Sequence, residues 1–163
     1  LLKGNHEHWW STGKKLEDLK MAHHLTSISF LHNAYIYIEE KGVCICGTRG
    51  WKCPERGNTE GLSEQDMKVY RRELLRLERS LEGAAACSSE ILAFIHYPPF
   101  NYHHDPNEFT ELLEKYRVKH CYYGHLHGPS HRWALNGKLA DSLLTDYRLV
   151  SADYLDFQPV LIM

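Results

Sequence analysis

Tyr122-Tyr123-Gly124-His125-Leu126-His127-Gly128 is the stretch from which the rest of the chain can be read. It follows a short apolar run and sets two imidazoles at i and i+2, between two glycines. In an extended or tightly turning segment alternate residues point to the same side, so His125 and His127 can reach one site together. Glycines on either flank let the backbone turn sharply or approach a ligand closely. Taken alone, a His-x-His loop is read equally well as two solvated histidines. Its neighbours decide between the two.

Moving outward, two more segments share the layout of an apolar strand followed by a turn whose first residues are metal-competent. Leu1-Leu2-Lys3 reads as the end of a strand and runs into Gly4-Asn5-His6-Glu7. The run 91–95 ends in His96, and the run 118–123 delivers the segment quoted above. In open α/β sheets, sites form in the crevice beyond the carboxyl ends of strands. Three such ends bring Asn5, His6, His96, His125 and His127 to one rim. Neutral imidazoles suit Zn, Fe, Ni or Mn-type ions, and the amide oxygen of Asn is a hard supplementary ligand.

Between these turns the chain reads as regular elements. A helix starts near Ser11 or Thr12, either of which can cap it, with Leu16, Leu19 and His23 on one face. Residues 33–38 and 43–46 are β-rich and joined through Glu39-Glu40-Lys41-Gly42 as a hairpin. Over 63–81 the stripe Tyr70, Leu74, Leu77, Leu81 predicts a helix. Ser63-x-x-Asp66 caps it, Arg71, Arg72, Glu73, Arg76, Glu78 and Arg79 form a solvated face, and Gly83 closes it. Residues 90–95 are a buried strand. Residues 106–116 are a second helix, with Phe109, Leu112, Leu113 and Tyr116 inward. Pieces around 132–135 and 147–151 read as β.

Composition sets the class. At 163 residues the chain is the size of one domain. A net charge of −2 gives no basic field for nucleic acid or anionic lipid, and no apolar run reaches membrane-spanning length. The cysteines number five and lack a C-x-x-C pair, which reads as reduced thiols in a cytoplasmic protein. Cys44, Cys46 and Cys53 leave a structural zinc site open, although core packing is the simpler reading of the first two. Twelve histidines are many for this length.

Gly4-Asn5-His6-Glu7, the lone His96 after its strand and Gly124-His125-Leu126-His127 resemble the last three signature blocks of the calcineurin-like metallophosphoesterases. Residues 3–10, 46–51, 70–81, 96–99, 123–128 and 147–159 together are similar to a subgroup of bacterial predicted phosphohydrolases in that superfamily. The resemblance implies an α/β fold (α+β in some schemes), a four-layer αββα sandwich of which 1–163 is the C-terminal part of a single domain. The family's N-terminal Asp-x-His and Gly-Asp-x-x-Asp blocks do not occur upstream of Asn5, so the chain reads as N-terminally truncated.

By this resemblance the full protein hydrolyses a phosphoester with two divalent transition-metal ions (Mn, Fe, Ni or Zn), whose bridging hydroxide attacks phosphorus in line. Asn5, His96 and His125 would ligate one ion, and His127 the other. His6 would not be a ligand; it would sit over the phosphate, stabilising charge or protonating the leaving group. Glu7 either orients its neighbour or is loop surface, the commoner place for such a carboxylate. Without the acidic blocks, at most one ion would be held well and turnover impaired. The alternative is a non-catalytic metal- or phosphate-binding module of the same fold. Arg49 is a candidate phosphate contact, His103 and His104 are loop histidines, and Trp9, Trp10 and Trp51 are packing residues. His8, His23, His24, His32, His120 and His131 read as surface or satisfied core. The strand edge left by the missing strands is a candidate for self-association.

Overall fold

Five short runs, mostly apolar, build the sheet: β1 (Tyr35–Ile38), β2 (Val43–Thr48), β3 (Glu90–Ile95), β4 (His120–Tyr123) and β5 (Asp146–Leu149), in the order 1-2-3-4-5. The structure, a computed structural model, describes residues 1–7, 12–55, 61–140 and 144–162. The readings made for His8, Trp9, Trp10 and Ser11 lie outside these residues. β1 and β2 form the expected antiparallel hairpin around a 3-10 turn, Glu39–Lys41. β2, β3, β4 and β5 run parallel, which requires crossover connections. Two of these are the helices α2 (Glu64–Cys87) and α3 (Glu108–Lys115), while α1 (Gly13–Ala22) precedes the sheet. The fold is α/β, as the sequence led us to expect.

The period-two alternation divides the sheet into two faces. Cys44, Cys46, Ile91, Ala93, Ile95, Cys121, Tyr123, Tyr147 and Leu149 share one core with Tyr70, Leu77 and Leu81 of α2 and Phe109 and Leu113 of α3. Val43, Leu92 and Tyr122 form a second, smaller cluster with Phe94 and Val150. The described residues thus supply one sheet of the expected architecture. Cys44 and Cys46 fill the core and all five cysteines are free thiols.

Helix α2 starts where its cap predicts. The Ser63 hydroxyl accepts from Asp66 N at 3.0 Å and donates to Asp66 Oδ2 at 2.9 Å. Its end does not match the reading: Gly83 lies inside the helix, which runs on to Cys87. A Cβ at Gly83 would come within 2.4 Å of the Tyr35 ring, so the glycine makes room for β1 and Ala84, Ala85 and Ala86 carry the helix forward. Glu73 also departs from the solvated face assigned to it. It is 1% exposed, accepting from Thr48 Oγ1 at 2.7 Å and Arg76 Nη1 at 2.7 Å. Arg71 and Arg79 are exposed as expected.

Three further readings change. Thr12 caps α1 and Leu16 is buried, but Leu19 is half exposed, so the apolar stripe is narrower than drawn. Leu1-Leu2-Lys3 is not a strand of the sheet; Leu2 makes one isolated parallel bridge with Leu31. Residues 132 and 133 close a 3-10 helix, Gly128–Trp133, rather than opening a strand. Pro129 presets its first turn, and the Ser130 hydroxyl accepts from His127 N at 2.8 Å and donates to His127 O at 2.7 Å.

Candidate metal and phosphate site

The register of the parallel strands places their ends on one level. Thr48 pairs with Ile95, Ile95 with Tyr123, and Tyr123 with Leu149, a single transverse row. Arg49, His96, Gly124 and Val150 are each one residue beyond it. The ladder extends across this step: His96 N donates to Thr48 O at 3.3 Å, Gly124 N to His96 O at 3.1 Å, and Val150 N to Tyr123 O at 2.7 Å. The turns carrying His96 and His125 therefore leave the sheet side by side.

Asn5 is delivered by the N-terminal turn, and His96 Nε2 donates to its Oδ1 at 2.7 Å. That turn comes very close: a Cβ on Gly4 would sit 3.0 Å from His96 Cε1 and 2.6 Å from Glu7 Oε2. The His125 ring lies 5.2 Å from that of His96, nearly perpendicular, and 4.0 Å from that of Tyr97. His125 adopts φ 71°, a left-handed conformation uncommon for a side chain-bearing residue, held here between Gly124 and Leu126. His127 points its Nδ1 at Asp153 Oδ1, 2.7 Å away, and Asp153 Oδ2 accepts from Gly128 N at 2.9 Å.

Electrostatics tie these groups together. Burial first, and then the charge of His125, hold the His96 imidazole down to about 4. Burial first, then His127 and His6, lower His125. Both rings thus stay neutral, with a lone pair available, where an ordinary histidine would begin to protonate. Asp153 is held well below the usual carboxylate range, by the Gly128 N–H first and His127 second. Donating Nδ1–H to a carboxylate leaves the lone pair of His127 on Nε2.

The remaining candidates are distributed around this centre. His6 is exposed and acts electrostatically on His125. Arg49 Nη2 lies 3.4 Å from Glu73 Oε1, and its guanidinium lies over the Trp51 ring at 4.6 Å. Trp51 packs as expected and donates Nε1–H to Asp66 at 3.0 Å. His104 Nε2 bonds Trp133 O at 3.0 Å, a structural role. Sequence reasoning missed Asp153, and set aside His131, whose Nε2 lies 3.3 Å from Asp153 Oδ2. The only sequence signal for Asp153 was its place in the segment 147–159.

The donor chemistry suits a divalent transition metal. Two ligands of one ion at about 2.1 Å each stand roughly 3 Å apart, so Asn5 Oδ1 and His96 Nε2 need little movement to share one once the His96 proton sits on Nδ1. Among the described residues, Glu7 Oε2 and Ser151 Oγ are buried without a hydrogen-bond partner. The first lies beside His96 and the second against Gly124, and polar atoms so placed are stabilised by a nearby cation or its water. Among the described residues no three His, Cys, Asp or Glu side chains are grouped as a metal cage; the candidate set is an amide with imidazoles. Among them, too, no helix is long and apolar enough to cross a membrane.

A family model described as calcineurin-like phosphoesterase matches residues 1–129. No curated protein and no solved structure matches the chain.

Proposed function

Since the chain belongs to the calcineurin-like phosphoesterase family, we propose that it binds and hydrolyses phosphoesters at the rim beyond β3 and β4. Asn5, His96 and His125 would hold a divalent ion, with His127 the ligand of a second. The observation that carries this reading is the meeting of Asn5 and His96 at 2.7 Å beside the His125 ring. An ion held there would supply Lewis-acid charge to the phosphate oxygens.

The side chains do the rest. Burial keeps His96 and His125 neutral and ready to ligate. Asp153 fixes the tautomer and orientation of His127. His6, exposed at the same rim, stabilises charge on the phosphate or donates a proton to the leaving oxygen. Arg49 is a second phosphate contact if its guanidinium swings from Glu73. Among the described residues the donor set is an amide with imidazoles, the chemistry of a borderline transition-metal ion. A non-catalytic metal- or phosphate-binding module built on the same Asn5, His96 and His125 set is the second reading.

Metal titration by calorimetry, with elemental analysis and p-nitrophenyl phosphate hydrolysis, separates these outcomes. We expect one firmly held Mn²⁺ or Zn²⁺ per chain, lost in His96→Ala and His125→Ala, a second and weaker ion at His127, and metal-dependent turnover. One ion without turnover selects the binding module. Unchanged metal affinity in both folded variants contradicts the site.

A further inference from the structure

A cavity of about 300 Å³ opens beside His125, and that ring forms part of its wall. Phe100, Leu126, Tyr97, Trp133 and, at the mouth, Tyr102 make an aromatic and apolar wall, with Lys52 and Glu55 as its charged members. Phe100 and Leu126 are each 4% exposed. Phe100 is fixed edge-on against Tyr123 and Tyr147, at 5.2 and 5.4 Å.

Trp133 is positioned from two sides. The bond from His104 holds its carbonyl, and the Arg132 guanidinium covers its ring at 4.3 Å. Tyr102 lies 4.6 Å from Trp133 with the rings tilted by 42°. It is nevertheless 65% exposed, so a large aromatic side chain is kept at the opening while contributing little to the core. Asn101 also lines the cavity, but its amide is committed to the loop, donating to Asp105 and accepting from His103 N and Asp105 N. It frames the cavity rather than reading a ligand.

Small-ligand pockets span about 300–1,000 Å³ and are mainly apolar with few polar groups. This one is at the lower limit, the size for one compact group. Aromatic walls reward a flat ring by offset or edge contacts beyond area burial. The Tyr97–His125 contact of 4.0 Å joins the cavity directly to the candidate ligand. A phosphoester with its phosphorus at the rim would point its substituent here.

We propose that this cavity selects phosphoesters carrying a planar aromatic substituent, an aryl ring or a nucleobase, packed against the wall that Tyr102, Trp133 and Phe100 form. The assignment rests on the phosphoester reading of the rim.

The test is calorimetric titration of the full chain, with Mn²⁺ present, using 1-naphthylmethylphosphonate, methylphosphonate and 1-naphthalenemethanol. The naphthyl phosphonate is expected to bind at least about tenfold tighter than methylphosphonate. Tyr102→Ala, at an exposed position, and Trp133→Ala should each remove most of that advantage while leaving methylphosphonate affinity unchanged. Equal affinity for the two phosphonates, or a preference that survives both substitutions, overturns the proposal. If the alcohol binds as tightly as the naphthyl phosphonate and His125→Ala changes neither, the failure lies in the phosphoester reading instead, and the substrate assignment falls with it. Adenosine monophosphate identifies the source. Binding tighter than the naphthyl phosphonate assigns a nucleobase, and weaker binding that is still above methylphosphonate assigns an aryl group.

Discussion

His127 Nδ1 and Asp153 Oδ1 stand 2.7 Å apart, a bond that ties the turn after β4 to the segment after β5. The same carboxylate holds Gly128 N, so one side chain sets both the ring and the backbone that carries it. Partners of this kind typically change metal affinity by about 10–100-fold when removed. Asp153→Asn should therefore weaken Zn²⁺ or Mn²⁺ binding at His127 by about tenfold with little loss of fold. Calorimetry with circular dichroism checks this; unaltered binding would mean His127 needs no such orientation.

Glu73 gathers Thr48, Arg49 and Arg76 beneath the rim. Removing one partner of a buried ion pair costs about 3–5 kcal/mol, because the other charge is left uncompensated. Glu73→Gln keeps the shape and loses the charge, so urea unfolding should show a loss of roughly 3 kcal/mol. A change within about 0.5 kcal/mol, the range of ordinary surface substitutions, would return Glu73 to the solvated face.

Two glycines should respond unequally to alanine. A Cβ at Gly47 would meet the Phe94 carbonyl oxygen at 1.8 Å, a side-chain atom against backbone that the β2–β3 ladder holds in place. Gly47→Ala should lose at least about 3 kcal/mol or fail to fold. At Gly83 the obstacle is the Tyr35 ring, which is 40% exposed and can swing. Gly83→Ala also gains helix propensity, so its loss should be about 1 kcal/mol. Thermal melts of the pair read the difference directly.

Acid should destabilise the fold through its buried imidazoles. His96 is held down to about 4 and His125 is lowered as well, whereas both return to about 6.5 when unfolded. Between those values the unfolded chain binds more protons, so stability falls as pH drops. It should be level above about 6.5 and decline towards 4. Urea midpoints across that range test this, and His96→Gln should flatten the slope.

The fold was legible wherever local chemistry and burial agree. The run 90–95 is a strand to the residue, and Ser63 caps α2, because an apolar run and a capping hydroxyl each carry their own signal. His96 could be placed at a strand end for the same reason. Gly83 misled because its neighbour in space, Tyr35, is 48 positions away in the sequence. Glu73 looked like one more charged residue on a polar face; only packing against β2 reveals its burial. Asp153 carries no spacing that links it to His127, and the bond between them spans 26 residues.

The level ends of β2, β3, β4 and β5 separate two kinds of change that the molecule can undergo. Below the Thr48, Ile95, Tyr123 and Leu149 row, any alteration must be accommodated by the whole ladder at once. Above it, the loop bearing Tyr102 and the short helix ending at Trp133 could be lengthened, shortened or exchanged while His96 and Gly124 kept their places. Diversity in what is recognised can thus accumulate on top of an anchoring layer that stays constant.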